Sequence, residues 1–148
     1  MNKIYNFFFN FFLKLPIKNK DLTRLRIRNF VLKIILEIYS LFFKVDLKTI
    51  FQICNSDKYD NYKDLYNVLQ SIINKKKIKK VLEIGIGGHD KKFSGGHSLI
   101  ALSHYFKNSR IYGLDIVDKS FLNNSKIFTI VGDQSNKQFM EQIGIKYG

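Results

Sequence analysis

Glu83 stands near the end of a short apolar run, Val81-Leu82-Glu83-Ile84, and the chain passes from it straight into Gly85-Ile86-Gly87-Gly88. Two later apolar runs also finish on acids. Arg110-Ile111-Tyr112-Gly113-Leu114 leads to Asp115, and Ile127-Phe128-Thr129-Ile130-Val131-Gly132 leads to Asp133 and Gln134. Glycines let a backbone turn tightly and come close to a ligand, and carboxylates accept hydrogen bonds from cationic or hydroxyl groups. Polar groups collected beyond the ends of buried runs are what open α/β sheets use to bind nucleotide cofactors.

The loop chemistry narrows the choice of cofactor. A phosphate-cradling P-loop needs Gly-Lys-Ser/Thr at its end, and Gly85-Ile86-Gly87-Gly88-His89-Asp90 has none. The dinucleotide fingerprint Gly-x-Gly-x-x-Gly fails at its last position, where Asp90 would repel a pyrophosphate. An NAD-dependent oxidoreductase is therefore the alternative rather than the main reading. An acid on the first strand, one after the second and Gly-Asp after the third suit a cofactor with a cationic amino-acid end, a ribose and an adenine. The histidines add no catalytic base: His89 and His97 read as loop polar residues, and His104 as a surface residue of a helix.

These residues need a scaffold, and the order of elements supplies one. After Val81 the pattern is strand, glycine loop, helix, strand, short helix or turn, strand, helix. That alternation implies an α/β fold with parallel strands. The first of these helices is expected from about Ser98 to Phe106. The last is expected to open on a Ser135-x-x-Gln138 capping box and to end near Gly144. Upstream, Tyr62, Leu65, Tyr66, Leu69, Ile72 and Ile73 recur at helical spacing, so this helix should lay its apolar face on the sheet, with both tyrosines in the core. Lys75-Lys76-Lys77 and Lys79-Lys80 then read as a solvated lead-in to the first strand that complements the helix C-terminus.

The N-terminal half has a different character. Residues 1–80 carry 17 Lys/Arg against 6 Asp/Glu, whereas residues 81–148 carry 8 against 6, so the net charge of +13 lies almost wholly upstream. Lysine makes up 21 of the 25 basic residues. No nucleic-acid reading motif accompanies it, so nucleic acid is not an expected partner. Ile4 to Leu13 is apolar but too short to span a bilayer, and no small-residue cleavage site follows it. Phe30 to Phe43 reads as a helix with Lys33, Glu37, Ser40 and Lys44 on one stripe and apolar residues elsewhere. Such a helix must be covered by a core, by a second subunit in a homo-oligomer, or by peripheral membrane contact. A membrane-peripheral, non-catalytic nucleotide-binding protein is the second alternative. The polar cluster Asn55-Ser56-Asp57-Lys58 divides a basic, apolar helical extension (1–54) from the cofactor-binding unit (55–148). With Cys54 as the single cysteine no internal disulfide can form, so a reducing, cytoplasmic setting is expected.

The segments Val81–Gly88, Ser94-Gly95-Gly96-His97-Ser98-Leu99, Ile111–Ile116 and Gly132-Asp133-Gln134-Ser135 together resemble the class I S-adenosylmethionine-dependent methyltransferases. More narrowly they resemble the mycinamicin-type macrolide and sugar O-methyltransferases. Ser56-Asp57-Lys58 with Tyr62 and Tyr66 is similar to a segment that precedes the first strand in that group. The likeness spans roughly residues 55–148. It implies a partial Rossmann-like sheet, the first three strands of the class I fold, preceded by N-terminal helices. It also implies an enzyme that methylates a sugar hydroxyl of a polysaccharide or glycosylated metabolite. Glu83 and the Gly85, Gly87 and Gly88 backbone would meet the methionine end of the cofactor. Asp115 would take the ribose hydroxyls, and Asp133 and Gln134 would flank the adenine. A strand-end or capping acid is the bland alternative for Asp115 and Asp133. The resembled family also uses Mg2+, held by an Asp-Asp-Gly-Ser-His segment that this chain does not contain. The chain therefore reads as a cofactor-binding half, with weak or no cofactor affinity expected of it alone.

Overall fold

The computed structural model describes residues 20–43, 45–88 and 93–147. The Ile4–Leu13 run, Lys44, His89 and Asp90 lie outside them. Three parallel strands, β1 (Lys80–Ile84), β2 (Arg110–Asp115) and β3 (Ile127–Val131), form one sheet in the order β1-β2-β3. In register, Glu83 lies opposite Gly113, and Asp115 opposite Val131. Four residues of β2, Ile111 to Leu114, are buried, as expected for a central parallel strand covered on both faces.

The helices are α1 (Lys20–Phe42), α2 (Leu47–Ile53), α3 (Lys58–Asn61), α4 (Lys63–Ile72), α5 (His97–Tyr105) and α6 (Lys137–Tyr147), with a 3-10 turn at Ser120–Leu122. Helix α5 is buried over five consecutive residues, Ser98 to Leu102, because it is sandwiched: it packs on the sheet on one side and on α1 and α2 on the other. Gly113 makes the inner contact close. A Cβ there would stand 2.5 Å from Leu99 and 2.9 Å from Ile86. Lys126 closes the far end of α5 by donating to the carbonyl oxygens of Ser103 and Lys107, a cation on the negative end of the helix dipole.

Helix α1 shares this core, since Leu32 and Leu36 are buried in the same cluster as Leu99 and Ile111. Lys33 and Glu37 pair at 3.8 Å on its exposed side, as their spacing predicts. Its outer face also shows Phe30, Ile38 and Leu41 to solvent. Among the described residues no helix is long and apolar enough to cross a membrane.

Four expectations need correction. Only part of the apolar face of α4 is turned inward. Tyr66 packs on Phe51 with ring centroids 4.7 Å apart, while Tyr62, Leu65 and Ile72 are exposed. The stripe that faces inward is 66, 69 and 73, and Gln70 beside it accepts from the Leu47 amide at 2.9 Å, which ties α4 to the start of α2. The last helix is capped by Asn136, whose Oδ1 accepts from the Phe139 amide at 3.0 Å; the Ser135 amide is already committed to Asp133. Gly144 does not end that helix, which continues to Tyr147. His104 is only half exposed, and its Nε2 is buried without a hydrogen-bond partner.

Candidate functional site

Two adjoining hollows open beyond the C-terminal ends of the strands. One, of about 360 Å3, is lined by Gly85 and Gly87 of the first turn, Asp115 at the end of β2, and Gly132, Asp133 and Gln134 after β3. The other, of about 310 Å3, lies between the Asn55–Lys58 segment, Glu83, the glycine loop and the start of α5. Gly85 and Gly87 border both. The structure thus gathers all seven expected residues, Glu83 and Gly88 in the second hollow and Asp115, Asp133 and Gln134 in the first.

The loop glycines divide into two kinds. Gly85 and Gly87 have φ of +74° and +77°, and a Cβ on either would meet nothing within 4 Å, so the space beside them is open to a ligand. Gly95 is different: a Cβ there would lie 2.2 Å from the Gly87 carbonyl oxygen. Together with the 2.8 Å bond from the Gly96 amide to the Ile86 carbonyl, this backbone contact draws the two ends of the loop into a narrow neck.

Glu83 is held with one oxygen satisfied and one not. Ser98 donates to Oε1 at 2.7 Å, and the Lys58 ammonium lies 3.7 Å from the same atom. Oε2 is buried and has no partner. Burial raises the carboxyl above its ordinary range, against the opposing pull of Ser98 and Lys58. A buried carboxylate oxygen without a donor is costly, so this atom is suited to an arriving cationic group.

Asp115 has a structural duty as well. Its Oδ2 accepts from the Ile86 amide at 3.1 Å and its Oδ1 from the Val117 amide at 3.0 Å, which pins the glycine turn to the end of β2. Each oxygen keeps lone-pair capacity for a further donor. Asp133 is fully exposed, and its hydrogen bonds with Ser135 hold its carboxyl below the usual range.

Residues that sequence reasoning did not assign to the site also meet there. Ser98 faces Glu83 from α5, Lys58 reaches it from α3, and His97 is the first residue of α5 rather than a loop residue. The His97 ring has Nδ1 at 2.7 Å from the Cys54 carbonyl oxygen and Nε2 at 2.9 Å from the Arg28 guanidinium. A carbonyl only accepts and a guanidinium only donates, so the ring is neutral with its proton on Nδ1. Burial first and then Arg28 lower its pKa. The folded chain therefore disfavours protonation relative to the unfolded chain. Stability should be full above the ordinary histidine value of 6.5 and fall as the pH drops below it. Half-buried His104 shifts in the same direction, so the variants His97→Gln and His104→Gln separate the two. Melting curves between pH 7.5 and 5.5 should flatten for His97→Gln; an unaltered slope would remove His97 from this role.

Three parallel strands carrying a glycine turn between two acids form a Rossmann-like sheet of the kind found in methyltransferases. Within that class the chain resembles the mycinamicin-type sugar O-methyltransferases. It is 45% identical over 69 residues to mycinamicin VI 2''-O-methyltransferase of Micromonospora griseorubida, covering 47% of this chain and 17% of that protein. It is equally identical over the same length to demethylmacrocin O-methyltransferase of Streptomyces fradiae, covering 18% of it. Among solved structures, MycE methyltransferase from the mycinamycin pathway, in complex with Mg, SAH and mycinamycin VI, superposes with a TM-score of 0.61 at 33% identity, over 71% of this chain and 29% of that one. The chain thus spans less than a third of the length of these relatives. No family profile matches it.

Proposed function

We propose that this chain carries the S-adenosylmethionine-binding part of an O-methyltransferase that acts on a sugar hydroxyl. The observation that carries the reading is the placing of two carboxylates at opposite ends of one glycine turn, Glu83 with an unpaired buried oxygen and Asp115 with spare lone pairs. Glu83 would receive the ammonium of the amino-acid end. The open flanks of Gly85 and Gly87 would let the backbone lie against the ligand, and Asp115 would accept from the ribose hydroxyls. Asp133 and Gln134 would border the adenine. Bound there, the cofactor would supply a sulfonium methyl already activated for transfer to oxygen.

The sugar acceptor is supported by the names of the relatives, two of which are O-methyltransferases of rhamnosyl tetracenomycin C and one of olivosyl-oleandolide. Among the described residues no group of three His, Cys, Asp or Glu side chains could hold a metal, so no step is assigned to magnesium. A cytoplasmic setting is proposed from the single cysteine of the chain, Cys54, which cannot form an internal disulfide.

Because Gly85, Gly87, Asp133 and Gln134 are exposed, the expected affinity is weak. A chemical-shift titration with S-adenosylhomocysteine is the direct test. Shifts should concentrate on Gly85, Gly87, Asp115 and Gly132, and Asp115→Ala should abolish them. Shifts confined elsewhere, or displacement of the ligand by NAD, would overturn the reading.

A further inference from the structure

The polar hollow holds a positive as well as a negative group, and the way they are arranged bears on which ligand it accepts. Lys58 opens α3, and only 18% of its side chain is exposed. Its ammonium lies 3.7 Å from Glu83 Oε1 and 4.9 Å from the centre of the Tyr62 ring, so the head is held at the hollow rather than free in solvent. The approach to it is built with care. Asn55 takes a left-handed turn at φ +54°, and buried Ser56 accepts from the Lys58 amide at 3.4 Å. Asp57, which receives the Ser56 hydroxyl at 3.4 Å, also lines the hollow but is exposed.

Lys58 and Ser98 both use Oε1 of Glu83, which leaves Oε2 as the vacant acceptor. An ammonium has three donor directions, and the contact with Oε1 uses one of them. The hollow therefore presents an unpaired carboxylate oxygen beside a lysine with donors to spare. That is the charge complement of a zwitterion. We propose that Lys58 recognises the carboxylate of the ligand's amino-acid end and thereby selects nucleosides that carry an α-amino acid over those that do not. The assignment rests on the cofactor reading given above and adds to it the residue that sets specificity.

The consequence is asymmetric. A nucleoside without the carboxylate would leave Lys58 with no partners but Glu83 and the Tyr62 ring, while gaining the same contacts at Gly85, Gly87 and Asp115. Selectivity should then lie in Lys58, and nucleoside affinity elsewhere.

The test is a chemical-shift titration of the whole chain and of Lys58→Met and Lys58→Arg with three probes. These are S-adenosylhomocysteine, its decarboxylated analogue, and methylthioadenosine, which lacks the amino-acid end altogether. The unsubstituted chain should bind S-adenosylhomocysteine most tightly. Lys58→Met should weaken that ligand about tenfold and leave the other two within about twofold, as expected for loss of one charged contact. Lys58→Arg should recover part of the preference, since the charge is kept. If Lys58→Met weakens all three probes alike, or changes none of them, Lys58 serves only to hold α3 to β1 and the proposal is wrong. If methylthioadenosine gives no shifts at Asp115 and Gly132 of the unsubstituted chain, the cofactor reading itself fails and this assignment with it.

Discussion

Replacing Glu83 by glutamine should leave the melting temperature unchanged or raise it, while weakening S-adenosylhomocysteine binding about tenfold or more. The two effects have one source. Glutamine keeps an oxygen to accept from Ser98 and removes a buried charge whose second oxygen has no partner. Lys58 loses its counter-ion but keeps the side-chain amide oxygen as an acceptor and the Tyr62 ring beside it. Breaking a buried pair is usually harmful because it strands a charge, whereas here the stranded atom is already present in the unsubstituted chain. The pH dependence gives an independent check. Because the folded-state carboxyl is raised above 4.5, its contribution to stability is full at low pH and is lost as the pH rises through the shifted value. The advantage of Glu83→Gln should therefore grow upward from about pH 4.5. A lower melting temperature with binding intact would mean that Glu83 is structural and that the ligand's cationic end lies elsewhere.

Gly95→Ala should be among the most damaging single changes in the loop. Its Cβ would be driven into the Gly87 carbonyl at 2.2 Å, with φ at +88°, and backbone on both sides leaves no flexible group to give way. A cost of about 3 kcal/mol is expected, or roughly 10 °C in melting temperature. Gly85→Ala makes the contrast. It carries similar backbone strain at φ +74°, but its Cβ would enter open space beside both hollows. Stability should fall by only about 1 kcal/mol, while ligand shifts disappear because the methyl occupies the ligand's place. Thermal melts and titrations of the two variants would separate the roles. Equal destabilisation by both would mean that the loop glycines share one structural purpose.

The sheet was readable because its strands are short apolar runs that each begin at or just after a basic residue and end at glycine or aspartate, and their ends fall within two residues of the expected positions. The seven site residues were readable for a related reason. Each sits at the C-terminal end of a strand or within the turn that follows it, so chain position alone brings them to one edge. Contacts made across the fold left no such mark. Ser98 meets Glu83 only because α5 returns over β1, and Arg28 meets His97 across 69 positions of chain. The second duty of Asp115, holding the Ile86 amide, depends on where the turn folds back. Lys58 stood out only through its resemblance to a family segment; its spacing from Glu83 carries no signal. The rotation of α4 could not be read either, because Leu65 and Leu69 are equally apolar and only packing against Phe51 decides between them.

The backbone contact between Gly87 and Gly95 has one more outcome. Any side chain at position 95 would pry the turn after β1 away from the residues that lead into α5, so the distance between those two walls of the polar hollow is set by the lack of a side chain there.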